Sequence, residues 1–340
     1  MVGATRPGAT HLVTGGAGFI GSHLTEALLA RGDSVVVLDV LSTGRLGNLD
    51  AVRDHPSFRF VHGSVLDELI VDELVRECEV VVHLAAAVGV KLIVDQPLRS
   101  FLTNIRGTEN VVAAAHRYRR KVLLASSSEI YGKNGTSALS EDADRVLGPP
   151  TVSRWAYSTA KAVDEVLGFT YHRERGLPAV VARFFNTVGP RQSPAYGMVV
   201  PRLARQAVAG EALTVYGEGT QRRCFCHVAD VVRALTLLLD DDRAVGEAFN
   251  VGSTEEISIL ELAGRIIAAA GTDSGVRLVP YEEAYAEGFE DMQRRLPDTS
   301  KIRSLVGWSP LHDLADVIAD AIADARLEQR SGDVAPVGSA

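Results

Sequence analysis

Tyr157-Ser158-Thr159-Ala160-Lys161 sets a phenol and an ammonium four residues apart. On a helix that spacing places both side chains on one face. A free phenol ionises at about pH 10, and an adjacent ammonium favours its phenolate. Tyr157 is therefore a candidate general base at neutral pH. The same spacing occurs on any amphipathic helix with a solvent-facing lysine, so the pair alone does not define a site. Arg154, three residues before Tyr157, shares its helical face. A second cluster, Ser126-Ser127-Ser128-Glu129-Ile130-Tyr131, brings hydroxyls and a carboxylate together. By itself Glu129 reads equally as a carboxylate capping a turn, and Arg154 as half of a surface or interface salt bridge.

Such groups need a rigid frame, and the N-terminal third supplies its pattern. The apolar run His11-Leu12-Val13-Thr14 leads into Gly15-Gly16-Ala17-Gly18-Phe19-Ile20-Gly21. An amphipathic stretch from Ser22 to Arg31 follows, stopped by Gly32, and Ser34-Val35-Val36-Val37-Leu38-Asp39 reads as a buried parallel strand. Strand, glycine turn, helix and strand make a βαβ unit. Glycines at this spacing let a pyrophosphate approach backbone N–H groups at a helix N-terminus. Asp39, closing the second strand, suits ribose hydroxyls and repels a 2′-phosphate, which favours NAD over NADP. Arg45 in the same loop argues the other way. The glycines could also serve tight helix–sheet packing alone.

Further strands are expected at 58–62, 80–86, 122–126 and 179–185, with helices at 103–118 and 155–173 among them. The alternation predicts an α/β fold with a doubly wound, mainly parallel Rossmann sheet, which binds ligands at the carboxyl ends of its strands. The 340-residue length suits one such domain with a smaller second lobe. Hydrophobic residues at 46% and charged residues at 23% fit a soluble globular protein and exclude a disordered chain or a disulfide scaffold. A net charge of −8 argues against a broad grip on nucleic acid. No apolar run reaches the ~18 residues of a membrane span, and residues 1–10 lack the apolar core of a signal peptide. Cys224 and Cys226 have no second ligand pair for zinc, so no metal site is expected, and they and Cys78 read as buried thiols of a cytoplasmic protein.

Together, the glycine motif, Asp39, His83-Leu84-Ala85-Ala86, the serines before Tyr131 and the Tyr157/Lys161 pair resemble an extended short-chain dehydrogenase/reductase of the NAD-dependent epimerase/dehydratase type. The resemblance runs from about residue 10 to 324 and implies a nucleotide-sugar enzyme. It adds Ser127 to the catalytic set of Tyr157 and Lys161. It places NAD against Gly15, Gly18, Phe19, Ile20, Gly21, Asp39, Ser64, Val65, Leu84, Ala85, Ala86, Asn104, Tyr157 and Lys161. Ser64 stands where many members carry an Asp for the adenine. A UDP-sugar is expected at Lys91, Asn186, Arg191, Val200, Tyr216, Gln221, Arg223 and Arg295. Of these Asn186, Arg223 and Arg295 would hold the diphosphate, and Tyr216 sits on the strand expected against the uridine. The implied domains are 10–185 with 226–252 returning to the NAD-binding unit, and 186–225 with 253–328 as a mixed α/β nucleotide-sugar lobe. Residues 1–9 and 329–340 read as loose tails.

Within that family, the Ser128–Glu129 pair and Arg154 resemble the UDP-glucuronic acid decarboxylases. The 4,6-dehydratases usually carry Asp–Glu at the first pair, and simple 4-epimerases usually lack the acid. The segment 287–291 leading to Arg295 also looks like the bacterial decarboxylase. Val88-Gly89-Val90-Lys91 matches neither well-known decarboxylase loop. In the mechanism this implies, Glu129 is either protonated or repels the substrate carboxylate, and Ser128, Glu129 or a water returns the proton to C5. A UDP-sugar 4-epimerase and an inactive NAD-binding scaffold are the alternatives. Relatives imply a homodimer built on the helices at 96–118 and 155–173, with Val111, Val112, Val166, Leu167 and Phe169 as apolar positions that would equally serve a monomer core.

Overall fold

Valine-rich runs without polar alternation need cover on both faces, and the chain supplies it with helices. The computed structural model describes residues 8–88, 96–135, 138–193, 198–284 and 292–331. Its first strands are β1 (Thr10–Thr14), β2 (Ser34–Asp39), β3 (Phe58–His62), β4 (Val80–His83), β5 (Lys121–Ser127) and β6 (Ala179–Phe184). The short β7 (Thr187–Val188), β8 (Leu213–Tyr216), β9 (Arg222–Cys224) and β10 (Cys226–His227) follow. Last come β11 (Ala248–Val251), β12 (Glu256–Ser258), β13 (Val276–Val279) and β14 (Arg294–Arg295). Seven of these form one sheet in the order β11-β6-β5-β4-β1-β2-β3, with each neighbouring pair parallel. The order reverses between β1 and β4, and that switch opens a crevice at the carboxyl ends of the strands.

The α-helices longer than one turn are α1 (Phe19–Ala30), α2 (Glu68–Glu77), α3 (Pro97–Arg117), α4 (Arg154–Arg175), α5 (Val199–Val208), α6 (Val228–Asp240), α7 (Ile259–Ala270), α8 (Ser300–Val306) and α9 (Leu314–Ser331). One face of the sheet packs a core that includes Leu24, Leu28, Val231 and Leu235 from α1 and α6. The opposite face packs Val71, Leu74, Val111 and Val112 from α2 and α3. A third core joins α5, α7 and α9 around Leu203, Leu262 and Val317 and forms the smaller lobe. No helix among the described residues is long and apolar enough to cross a membrane.

Several boundaries differ from the sequence expectation. The fourth strand ends at His83 rather than residue 86, because Leu84–Ala87 leave the sheet to line the crevice. Ile302 and Trp308 fall in the expected sugar lobe, yet they pack in the core of the large sheet, where Trp308 Nε1 donates to the Asp230 carbonyl at 2.9 Å. Val111 and Val112 are fully buried under the sheet and are closed to any partner. Val166, also among the expected positions, faces outward on α4, as does Leu98 on α3. Of the expected tails, residues 1–7 and 332–340 lie outside the described residues. Ala9 is buried, Gly8 N–H donates to Asp33, and 329–331 complete the last turn of α9.

Behind the site runs a buried polar network. Arg183 on β6 donates from Nε and Nη2 to the two Glu165 oxygens on α4, at 2.9 and 2.7 Å. Its Nη1 donates to the Tyr131 hydroxyl at 2.9 Å, and that hydroxyl donates to Asn250 on β11 at 2.7 Å. Ser126, on β5, donates to Glu165 as well. A satisfied buried network of this kind fixes geometry. It locks the carboxyl end of β5 to the helix that carries Tyr157 and Lys161.

Candidate active site

The glycine loop works by letting backbones meet. Gly15 has φ +72°, and a Cβ there would lie 2.8 Å from the Ala85 nitrogen. A Cβ on Gly21 would lie 2.2 Å from the Gly15 carbonyl oxygen. Gly18 precedes α1 with no side-chain cap on the helix, so first-turn N–H groups remain for an anion. Asp39 at the end of β2 is buried and accepts from the Ala17 and Leu41 N–H groups at 3.0 and 2.7 Å. A cavity of about 1040 Å³ opens here. Gly15, Gly18, Phe19, Ile20, Gly21 and Asp39 lie on its wall, as do Ser64, Val65, Leu84, Ala85 and Ala86. Tyr157 and Lys161 close its inner end. The glycine cradle and the carboxylate fit a dinucleotide. Gly15→Ala strains a left-handed backbone and drives a methyl into Ala85. Calorimetric titration with NAD should show at least about a tenfold loss of affinity, which is about 1.4 kcal/mol.

Two expected contacts are placed differently. Asn104 is buried off the cavity wall, where its amide accepts from Ala87 N–H at 2.7 Å and donates to the Ala87 carbonyl at 3.1 Å. It shapes the 84–87 wall from behind. Arg191, expected at the sugar, lines the dinucleotide cavity, donating to Ser22 Oγ and paired with Glu26 at 2.7 Å on the first turns of α1.

At the catalytic centre, the Ser127 hydroxyl caps the turn after β5 by accepting from Glu129 N–H at 3.2 Å, and it hydrogen-bonds Tyr157. Burial pushes the Tyr157 phenol up, with Lys161 pulling it down and Glu129 and Asp164 opposing that pull. Lys161 Nζ donates to the Ala125 carbonyl at 3.0 Å and to Asp164 at 3.1 Å. Burial works against its charge, but Asp164 first and then Tyr157 outweigh it, and the ammonium is held above its ordinary range.

Glu129 sits in a fork of arginines. Arg154 Nη2 donates to Oε1 at 2.9 Å, and its Nη1 pairs with Oε2 at 2.5 Å. Arg295 Nη1 reaches Oε1 at 2.9 Å and donates to Ser128 Oγ at 3.1 Å. Burial works to raise the Glu129 carboxyl, but Arg154, Arg295 and the more remote Arg223 outweigh it and hold it at about 2. Without substrate Glu129 is therefore ionised at neutral pH, which favours the repelling form of the two left open by the sequence. Its depressed value contributes stability above an unfolded value of about 4.3, and that stability is lost as pH falls toward about 2.

The expected sugar-site residues divide. Arg295, expected at the diphosphate, contacts Glu129, because β14 pairs with β9 and carries it back under the Ser128 turn. Arg223, its registered neighbour on β9, donates to the Arg222 carbonyl at 2.8 Å. Asn186 has φ +30° and donates its amide to the Cys224 carbonyl at 2.8 Å. Val200 is wholly buried in the third core, so its side chain is closed to a ligand. The Tyr216 ring stacks on Arg202 at 4.5 Å, and Gln221 donates to the Tyr216 carbonyl at 3.1 Å. Lys91 and 287–291 lie outside the described residues. Cys78, Cys224 and Cys226 are buried free thiols. The sequence reading missed Asp164, although its position three residues beyond Lys161 on the same helix was the available signal.

A doubly wound sheet with a glycine-rich first turn and a Ser-Tyr-Lys set at the switch point defines the extended short-chain dehydrogenase/reductase class. Within it, the chain belongs to the GDP-mannose 4,6 dehydratase family, whose pattern matches residues 12–321. It is 40% identical over 300 residues to the UDP-N-acetyl-alpha-D-glucosaminuronate decarboxylase of Bacillus cytotoxicus, covering 88% of this chain and 92% of that one. It is 36% identical over 305 residues to UDP-glucuronic acid decarboxylase 1 of Danio rerio, covering 90% and 70%. Among solved structures, the UDP-glucuronic acid 4-epimerase of Bacillus cereus, in complex with UDP-glucuronic acid and NAD, superposes with a TM-score of 0.84 at 29% identity, covering 94% and 99%.

Proposed function

We propose that the chain is an NAD-dependent UDP-glucuronic acid decarboxylase, a carboxy-lyase. The observation that carries this is the Arg154–Glu129–Arg295 cluster beside Tyr157. Two guanidinium groups around one ionised carboxylate leave a net positive charge in a buried setting. That excess suits a second carboxylate, the one that distinguishes a uronic acid from an ordinary hexose.

NAD, held by the glycine loop and Asp39, supplies a hydride acceptor for the C4–H of the sugar. The protein's own work begins with the 4-hydroxyl proton. Tyr157 takes it, with Ser127 bridging phenol and substrate and Lys161 stabilising the phenolate. The resulting ketone stands one carbon from C5, which bears the carboxylate, so the substrate is now a β-keto acid. Loss of CO2 leaves an electron pair that the ketone accepts as an enolate. The Tyr157 hydroxyl, now protonated, and Lys161 are the donors for that oxygen. Glu129 holds Arg154 and Arg295 in place, and its fixed charge repels the substrate carboxylate, a repulsion relieved as neutral CO2 departs. The C5 proton then comes from the Ser128 hydroxyl, which Arg295 orients, or from water. A hydride returned by the reduced cofactor would give UDP-xylose; release of the ketone before that would give UDP-4-keto-xylose and leave the reduced cofactor to exchange for NAD.

Substrate choice tests this reading. UDP-glucuronate should be consumed while UDP-glucose, which lacks the carboxylate, is left untouched. Equal consumption of both would remove the carboxylate site. The Bacillus relative's name favours one second reading, an acetamido group at C2, and a parallel incubation with that sugar decides between them. The outward Leu98 and Val166 on α3 and α4 support a homodimer through those helices, and buried reduced thiols suit the cytoplasm.

A further inference from the structure

Lys161 has an anionic partner that its catalytic role does not require. Asp164 lies one turn further along α4 with its carboxylate 3.1 Å from Lys161 Nζ, and both side chains are 3% exposed. The Thr108 hydroxyl on α3 lies beside Asp164, whose Oδ1 has no hydrogen-bond partner among the described residues. That hydroxyl bonds His83 Nε2 at 3.1 Å, and His83 Nδ1 bonds Thr14 Oγ1 at 2.8 Å at the end of β1. Burial keeps His83 neutral, pushing it down to about 3. The chain of contacts runs from the strand that enters the glycine loop, across β4 and α3, to the ammonium under Tyr157. An ammonium has three donors. Two are spent, on the Ala125 carbonyl and on Asp164, which leaves one for the cavity that Lys161 lines.

We propose that Asp164 is a positioning residue of the oxidation step: its carboxylate is the counter-ion that fixes the Lys161 ammonium in place and damps the pull of that ammonium on the Tyr157 proton. The inference rests on the reading of Tyr157 and Lys161 as the oxidising pair. Charge bookkeeping supports it. The charged and titratable groups facing this point are Tyr157, Lys161, Asp164 and Glu165 on α4, Glu129 after β5, and His83 on β4. Glu165 is neutralised by Arg183, Glu129 by its two arginines, and His83 is uncharged. Asp164 is then the carboxylate that balances Lys161. Burial pushes the Asp164 carboxyl up, and the ammonium and the Thr108 hydroxyl pull it back toward the charged form. With the pair balanced, an unloaded enzyme keeps Tyr157 as a phenol. The base is released only when further positive charge enters the cavity with the oxidised cofactor.

Asp164→Asn removes the charge and keeps the shape. The first readout needs neither substrate nor cofactor: tyrosinate absorbance titrated in the wild type and in Asp164→Asn, each after subtraction of its Tyr157→Phe counterpart. The Tyr157 transition should move to lower pH by about one unit or more, the size of shift a single nearby charge produces. The second readout is the pH profile of kcat/KM with UDP-glucuronate, whose rising limb should move to lower pH in the same direction. A transition unmoved by the substitution would overturn the proposal, since Asp164 would then be neutral or merely structural. A uniform fall in kcat with both limbs in place does the same. A wild type without turnover would sink the decarboxylase reading and leave the phenol titration to decide this one. If Asp164→Asn does not fold, Asp164→Ser, which also removes the charge, serves: the Tyr157 transition should again move to lower pH, and no movement counts against the proposal.

Discussion

Tyr157→Phe should lower turnover of UDP-glucuronate by about a hundred- to ten-thousand-fold, the usual contribution of a positioned general base. Its affinity for NAD, measured calorimetrically, should stay within about twofold of the wild type. The substitution removes one oxygen from a ring that is almost wholly buried at the inner end of the cavity, so packing is conserved. Only the proton acceptor is lost. The pH profile argues the same point. The phenol sits above its ordinary value because burial outweighs Lys161. The reaction needs the phenolate, so the rate rises with pH through the ionisation of Tyr157 in the loaded enzyme. Glu129 cannot supply that limb, since it is already ionised down to about pH 2. A Tyr157→Phe variant with near-normal turnover would return the chain to the scaffold reading, because a redox-sensing scaffold needs no base.

Arg295→Gln separates two roles for one residue. The family resemblance gives Arg295 the substrate diphosphate, whereas the structure sets it against Glu129 and Ser128. If it serves the uronate carboxylate, UDP alone should bind the variant as it binds the wild type, and UDP-glucuronate should bind and react far less well. Truncating one member of a buried charge cluster costs about 2–5 kcal/mol. Expressed as kcat/KM, that is a fall of about thirty- to several-thousand-fold. Among the described residues Glu129 would keep Arg154 as its one ion-pair partner, so its carboxyl should rise from about 2. Stability above an unfolded carboxyl value of about 4.3 would fall with it, because less native-state preference for the charged form remains. Equal losses for UDP and UDP-glucuronate would place Arg295 at the diphosphate.

Local pattern was enough wherever the chemistry was local. The glycine turn, β2 ending at Asp39, and Tyr157 with Lys161 are each set by spacing within one helix or one βαβ unit. All stand on the cavity wall. What sequence could not convey depends on partners far apart in the chain. Arg295 reaches Glu129 only because β14 pairs with β9, a register between segments some seventy residues apart. The family resemblance assigns Asn104 to the cofactor, and only the fold shows its amide bonded to Ala87 behind the crevice wall. Val111 and Val112 suited an interface and a core equally well by periodicity, and the second face of the sheet claimed them. Asp164 was overlooked for a different reason. A carboxylate three residues after a lysine is an ordinary surface pair on most helices, and only burial turns it into a counter-ion.

The central claim is that carbon is lost from the substrate. UDP-glucuronate labelled with heavy carbon at its carboxyl group should be incubated with the protein and NAD, and the label followed by mass spectrometry and carbon NMR. The label is expected to leave as CO2 and bicarbonate, with an unlabelled UDP-pentose or its 4-keto form left behind. A product that retains the label and the mass of the substrate, with the configuration at C4 inverted, would contradict decarboxylation and make this chain an epimerase.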